Sequence, residues 1–215
     1  EWTVREAANT VARLAAAFDT AGIGEGTRIA VIGANSPWHY IVHVAASWLR
    51  AVTVPLSPRM PSGALASMCE QAGVSWVFLD EASSAHAPTL SGAGAQVASF
   101  TDLAAWADRT APIGRSPARC GTELAAILFT SGSTGIPRPV ELTHEVMWWG
   151  STNFREGFDY APTSSVVGVC APASHIGGFN GTSMDVWTHG GTLVTLGFPG
   201  SFDARGVIDA IERYG

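Results

Sequence analysis

Short apolar, β-branched runs recur along the chain, each followed by a stretch with helical spacing, and this alternation restricts the fold more than any other feature. "RIAVIG", "AVTVPLSP", "SWVFLD" and "AQVASF" are nearly continuous in apolar residues, as strands are when helices cover both faces of a sheet. Before the first of them, Val4, Ala8, Val11, Leu14 and Phe18 predict an amphipathic helix over 3–20, closed by "AGIGEG". Ser36 and Pro37 open the next helix as N-cap and first-turn proline. Helices are expected over 62–72 and 102–108, with a polar loop over 80–94. The class is α/β, with layered sheets flanked by helices.

Residues 111–123 turn to Pro, Gly, Arg and Ser and read as a connecting loop. It divides a first α/β segment, 1–110, from a second, 124–215, of the same domain. In the second, strands are expected over 124–130, 138–143, 165–170 and 192–196, and helices over 144–157, 180–188 and 203–213. The last helix reaches Gly215 where another strand is due, so the chain reads as the front of a larger domain whose C-terminal partner is absent. Sheets that lose strands expose edges and apolar faces, so the missing remainder or a homodimer is expected to cover them.

At 215 residues and 47% hydrophobic content the chain can bury a sizeable core. The greasiest stretch, 41–56, is broken by His43 and Arg50, so no membrane span is expected. The start lacks a basic head and a small-residue cleavage site, which favours the cytoplasm. A net charge of −6 with scattered basic residues argues against nucleic acid as a partner. Cys69, Cys120 and Cys170 lie far apart with no CxxC spacing and read as buried free thiols. His39 and His43 stand four apart on a helix, but "HYIVH" lacks the zinc-hydrolase glutamate and a third ligand, so no metal is assigned. The eight tryptophans, Trp148 and Trp149 included, are expected to serve packing.

All 12 basic residues are arginine. That matters for "ILFTSGSTGIPRPVELTH", where hydroxyls and glycines crowd between two apolar runs. A flexible surface turn is one reading. A lysine-bearing nucleotide loop fails for want of a lysine and of spacing, and a nucleophile elbow fails on residue order. The third reading is a phosphate cradle. Gly132 and Gly135 allow successive N–H groups to point inward, and Thr130, Ser131, Ser133 and Thr134 add hydroxyl donors. Hydrogen bonds to a charged acceptor contribute roughly 1.5 to 3 kcal/mol each, and Arg138 stands ready for the outer phosphates.

"LFTSGSTGIPRPVELTH" resembles the signature phosphate loop of the adenylate-forming superfamily, written [YF]-T-S-G-[ST]-T-G-x-P-K-G-V-x-x-[ST]-H. Arg138 replaces its lysine and Pro139 its glycine. "AVTVPLSPRM" is similar to the family's A-G-A-x-x-V-P-L-x-P segment, with Arg50 where glycine is usual, and "PASHIGGFNG" to its P-L-x-H-x-x-G segment. The resemblance covers essentially the whole chain and implies the front portion of the large N-terminal domain of an acyl-CoA ligase or a relative. Such enzymes convert a carboxylic acid and Mg·ATP into acyl-AMP, then pass the acyl group to coenzyme A or a carrier-protein pantetheine. ATP, Mg2+ and that thiol are the implied cofactors.

Carried onto this chain, the resemblance gives Thr130, Ser131, Gly132, Ser133, Thr134, Gly135 and Arg138 to the phosphates. His175 becomes the catalytic residue beside the reacting carboxylate, and Gly177 and Gly178 let the acid approach. Phe179, Asn180 and Met184 are candidates for the acyl pocket, with ordinary helix packing as the competing reading. The family's magnesium glutamate, ribose aspartate and C-terminal lysine lie beyond the matched region. The acid is expected to be small or medium and apolar. A peptide-synthetase adenylation domain would instead need an aspartate soon after His175, and Asp185 stands ten residues on. A non-catalytic nucleotide-binding or assembly remnant is the alternative, motivated by Arg50, Arg138 and Pro139.

Overall fold

The computed structural model describes residues 1–114, 121–130, 137–159, 161, 163–197 and 202–214. Helix α1 (Val4–Thr20) begins with a reciprocal cap, in which Glu6 N–H donates to the Thr3 hydroxyl and Thr3 N–H donates to the Glu6 carboxylate. Strands β1 (Arg28–Ile32), β2 (Val52–Leu56), β3 (Trp76–Leu79) and β4 (Gln96–Ser99) are all parallel. They are linked by α2 (Pro37–Trp48), α3 (Ser62–Ala72) and α4 (Ala87–Gly92). Alternate residues of β1 explain its unbroken apolar run. Ile29 and Val31 face α1, α2 and the later helix α5 (Phe100–Arg109), whereas Ala30 and Ile32 face α3 and α4.

β5 (Leu124–Thr130) joins β2 in parallel, and β6 (Arg138–Thr143) returns antiparallel as the edge of a sheet ordered β4-β3-β1-β2-β5-β6. The connection over 111–123 therefore leads back into the first sheet rather than between two sheets. Helix α6 (His144–Phe158) follows, then β7 (Val166–Val169), α7 (Ile176–Phe179), α8 (Gly181–Thr188), β8 (Thr192–Thr195) and α9 (Ala204–Tyr214). β7 and β8 form a second, parallel pair. Among the described residues no helix is long and apolar enough to cross a membrane.

Three expectations need correction. The polar stretch 80–94 is helical: Asp80 caps a 3₁₀ turn, Glu81–His86, by accepting from Ser83 N–H at 2.8 Å, and α4 follows. Its polar residues are caps and exposed faces, and Leu90 alone is buried in α4, too few for a periodic signal. Trp148 and Trp149 are not core residues, being 52% and 55% exposed on the outer face of α6. Of the thiols, Cys69 is buried and pushed up to about 11 by that burial, Cys170 is half-buried, and Cys120 lies outside the described residues.

Two of the three departures from the resembled pattern, Pro139 and Arg50, have a clear structural setting. Pro139 sits on the edge strand β6, where a residue without N–H is tolerated. Arg50 follows α2 with φ at 60°, the left-handed conformation that glycine adopts freely. Its guanidinium meets Glu25 at 3.3 Å and Glu123 at 3.7 Å, surface pairs that contribute at most about 1 kcal/mol. Arg50→Ala and Arg50→Gly both lose those pairs, but only glycine relieves the backbone. Arg50→Gly is expected to be the more stable of the two by about 1 kcal/mol in urea unfolding; equal midpoints would mean that Arg50 carries no backbone strain.

Candidate active site

The parallel strands β1, β2, β3, β4 and β5 end on one edge of the sheet, where α/β proteins hold their ligands. Thr130 closes β5 there and pairs in register with Arg138, the first residue of β6. The two therefore form the neck of the hairpin connection that carries Ser131, Gly132, Ser133, Thr134 and Gly135, five candidates that lie outside the described residues. Both neck residues are exposed, which leaves the Thr130 hydroxyl and the Arg138 guanidinium accessible to an anion.

At the strand-order switch beside β1, the Asp80 carboxylate accepts from Ala34 N–H and Ser83 N–H at 2.8 Å each, and a Cβ on Gly33 would lie 2.8 Å from it. A cavity of about 790 Å³ opens between the start of α1, α2, β8 and α9, with Trp2, Tyr40, Trp187 and Tyr214 in its lining. None of the site residues singled out from sequence lines it.

His175 is the N-cap of α7, in extended conformation, and its Nδ1 accepts from Gly177 N–H at 3.2 Å. In the neutral ring the proton then sits on Nε2, which makes the exposed edge of His175 a hydrogen-bond donor. Gly177 is exposed, and a Cβ there would meet only the His175 Nδ1, at an ordinary 3.6 Å. Gly178 is different: a Cβ would lie 2.4 Å from the carbonyl oxygens of both Ala171 and Pro172. The loop that presents His175 passes so close to α7 that only glycine fits.

Phe179 is fully buried and shares a core with Ala125, Ala126 and Leu128 of β5 and Met147 of α6. This packing ties the segment bearing His175 to the strand that ends in Thr130. The amide of Asn180 donates to the Met147 carbonyl at 2.9 Å, and Met184 is half-buried. Asp185 is buried but already has a cation, Arg155 Nη1, at 3.1 Å, with His189 beside it. An ammonium substrate would have to compete with that guanidinium.

Sequence reasoning overlooked the supports beneath this segment. The Tyr40 hydroxyl donates to the Gly178 carbonyl at 2.6 Å, and burial pushes its pKa up to about 12. The Ser183 hydroxyl donates to the same carbonyl at 3.0 Å. His43, read above only as half of an unlikely metal pair, packs edge-on against Phe179 at 4.9 Å and pairs through Nδ1 with the Thr53 hydroxyl at 2.7 Å. No cluster of three potential metal ligands occurs among the described residues. These residues sit in ordinary helix and strand positions, so nothing local in the sequence distinguishes them.

A feruloyl-CoA synthase of Amycolatopsis sp is 28% identical over 214 residues, covering 98% of this chain and 41% of that protein. A fatty acid–[acyl-carrier-protein] ligase, ScoC of Streptomyces coeruleorubidus, is 25% identical over 209 residues, covering 94% of this chain and 40% of the relative. The chain thus spans about two fifths of the length of these two relatives. Among solved structures, ATP-bound MatB from Rhodopseudomonas palustris superposes with a TM-score of 0.83 at 22% identity, over 97% of this chain and 42% of that one. The model of the AMP-binding enzymes matches residues 1–215 without interruption. That match over the whole chain places it in the AMP-binding, adenylate-forming enzyme family.

Proposed function

We propose that the polypeptide carrying this chain activates a carboxylic acid with ATP and delivers the acyl group to a thiol. In the first step a carboxylate oxygen attacks the α-phosphorus, the new acyl–phosphate bond forms, and the bond to pyrophosphate breaks. In the second, a thiol sulfur attacks the acyl carbonyl carbon and AMP departs. The observation that carries this reading is the register pairing of Thr130 with Arg138, which closes the hairpin bearing "SGSTG" at the C-terminal edge of the sheet. The amides and hydroxyls of that connection would absorb the charge that moves onto departing pyrophosphate. Arg138, always charged and capable of a bidentate grip, serves where the family pattern has lysine.

His175 would donate from Nε2 to the reacting carboxylate, since its Nδ1 already accepts from Gly177 N–H. Magnesium would enter with ATP and offset the charge of its phosphates. The acid is read as apolar, small or medium in size, from the largely apolar run "HIGGFNG" that follows Ser174, and the pairing of Asp185 with Arg155 disfavours an ammonium-bearing acid. The relatives' names include both a CoA and a carrier-protein acceptor, and either pantetheine thiol suits the second step.

The test is acid-dependent ATP–pyrophosphate exchange by the natural gene product over a panel of carboxylic acids. Thr134→Ala is expected to lower exchange about 10- to 100-fold, the loss of one hydrogen bond to a charged acceptor, and His175→Ala by a similar factor. Nucleotide binding without exchange on any acid would instead make this a nucleotide-binding protein that has lost the chemistry.

A further inference from the structure

The segment that presents His175 is held from outside by a residue of the first sheet's β1–α2 turn. Asn35 reaches across to it with every polar atom of its side chain. Its Nδ2 donates to the carbonyls of Val169, at 3.2 Å, and Ala171, at 2.8 Å, and its Oδ1 accepts from Ala173 N–H at 2.7 Å. Three consecutive odd-numbered residues leading from β7 toward His175 are thereby fixed by one amide. Pro172 lies within the same grip, and its carbonyl accepts from His175 N–H at 2.9 Å. The turn also meets the end of β8, because a Cβ on Gly197 would lie 2.8 Å from the Asn35 carbonyl oxygen. One turn of α2 further on, Tyr40 secures the far side of the segment at Gly178.

From this arrangement we infer that Asn35, supported by Tyr40, is a positioning residue for His175. Asn35 touches no reacting atom; it sets where the imidazole stands by fixing the backbone two to six residues before it. The chemistry requires an amide. A carboxylate of the same shape could still accept from Ala173 N–H but would face two carbonyl oxygens with no proton to offer. The inference rests on the acid-activation reading for its effect on rate, while the hold itself is independent of that reading.

Two measurements on the natural gene product separate them. Hydrogen exchange compares wild type with Asn35→Asp and Tyr40→Phe. Amides of residues 170–178 are expected to exchange at least about tenfold faster in Asn35→Asp, with those of β1 to β4 unchanged. Tyr40→Phe keeps the Ser183 bond to Gly178 and so has the smaller effect. In pyrophosphate exchange Asn35→Asp is expected to lower kcat about 10- to 100-fold, as small misplacements of catalytic groups do, while KM for ATP stays within about twofold. In a His175→Ala background the same substitution should change kcat by less than about twofold, because its effect passes through the missing ring. Equal losses in both backgrounds, or unaltered amide exchange, would overturn the assignment. A wild type inactive on every acid, with the hydrogen-exchange pattern intact, would remove the acid-activation reading and leave Asn35's hold on the segment standing.

Discussion

Gly178→Ala is expected to abolish acid-dependent pyrophosphate exchange, a loss of at least about a hundredfold, while Gly177→Ala folds normally. The two glycines are adjacent and look equivalent in sequence. Their surroundings differ: the Cβ of an alanine at 178 would be driven to 2.4 Å from two backbone carbonyl oxygens and 2.7 Å from the Pro172 carbonyl carbon, whereas at 177 it would touch one ring nitrogen at 3.6 Å. No side-chain rotation relieves a clash with backbone, so either α7 or the 171–172 peptide must move. Moving α7 strains the Phe179 contacts with β5 and the 2.6 Å bond from Tyr40; moving 171–172 strains the Asn35 clamp. Overpacking of this kind costs about 1 to 3 kcal/mol in stability, and a displacement near 1 Å of His175 accounts for the rate. The check is exchange kinetics beside thermal unfolding of both variants. Full activity in Gly178→Ala would mean that His175 need not stand where this loop puts it. A Gly177→Ala variant that folds as wild type yet weakens with larger acids would locate the acid's approach at that glycine.

The contrast between these glycines illustrates what could be read from the chain alone. Strand and helix placement followed largely from periodicity, and the cap at Ser36 was read directly; the reciprocal caps at Thr3 and Ser99 are equally local but were not singled out, and α5 starts two residues before the expected helix. The hairpin neck at Thr130 and Arg138 was visible because a motif of fixed spacing spans it. Contacts between the halves were not. Asn35 precedes a helix cap and reads as turn chemistry, yet its partners lie about 134 to 138 residues away. Tyr40 and His43 sit on the buried stripe of α2 like any packing residue, and only the folded chain shows Gly178 and Phe179 against them. Arg50 was legible as a departure from a pattern, but its φ of 60° supplies the reason glycine belongs there.

Acid should unfold the protein earlier than its carboxylates alone require, because two histidines are buried in neutral form. His39 is 1% exposed, edge-on to Phe100, and neither ring nitrogen has a hydrogen-bond partner of good geometry among the described residues. Burial lowers its pKa to about 4, against the opposing pull of the Ser36 backbone and the Asp80 carboxylate. His43 is 4% exposed between Thr53 and Phe179, and burial, with a further push from the charge of His144, lowers it to about 3. In the unfolded chain both titrate near 6.5. Between those values the unfolded state binds more protons than the native one, so stability is fully present above about pH 6.5 and is lost as pH falls toward 4 and then 3. Well below pH 6.5 each histidine removes about 1.4 kcal/mol per pH unit, together about 3, which exhausts a typical stability of about 5 to 15 kcal/mol within a few units. The capping carboxylates Glu6 and Asp102, held below the ordinary range by their Thr3 and Ser99 hydrogen bonds, lose their own contribution as pH falls through that lowered range. Urea midpoints at pH 7.5, 6 and 5 measure the slope, and His39→Leu isolates one half of it. That variant removes two buried nitrogens that lack a hydrogen bond of good geometry among the described residues, so it should gain stability at pH 7.5 and lose roughly half of the pH dependence; an unchanged slope would assign the titration to other groups.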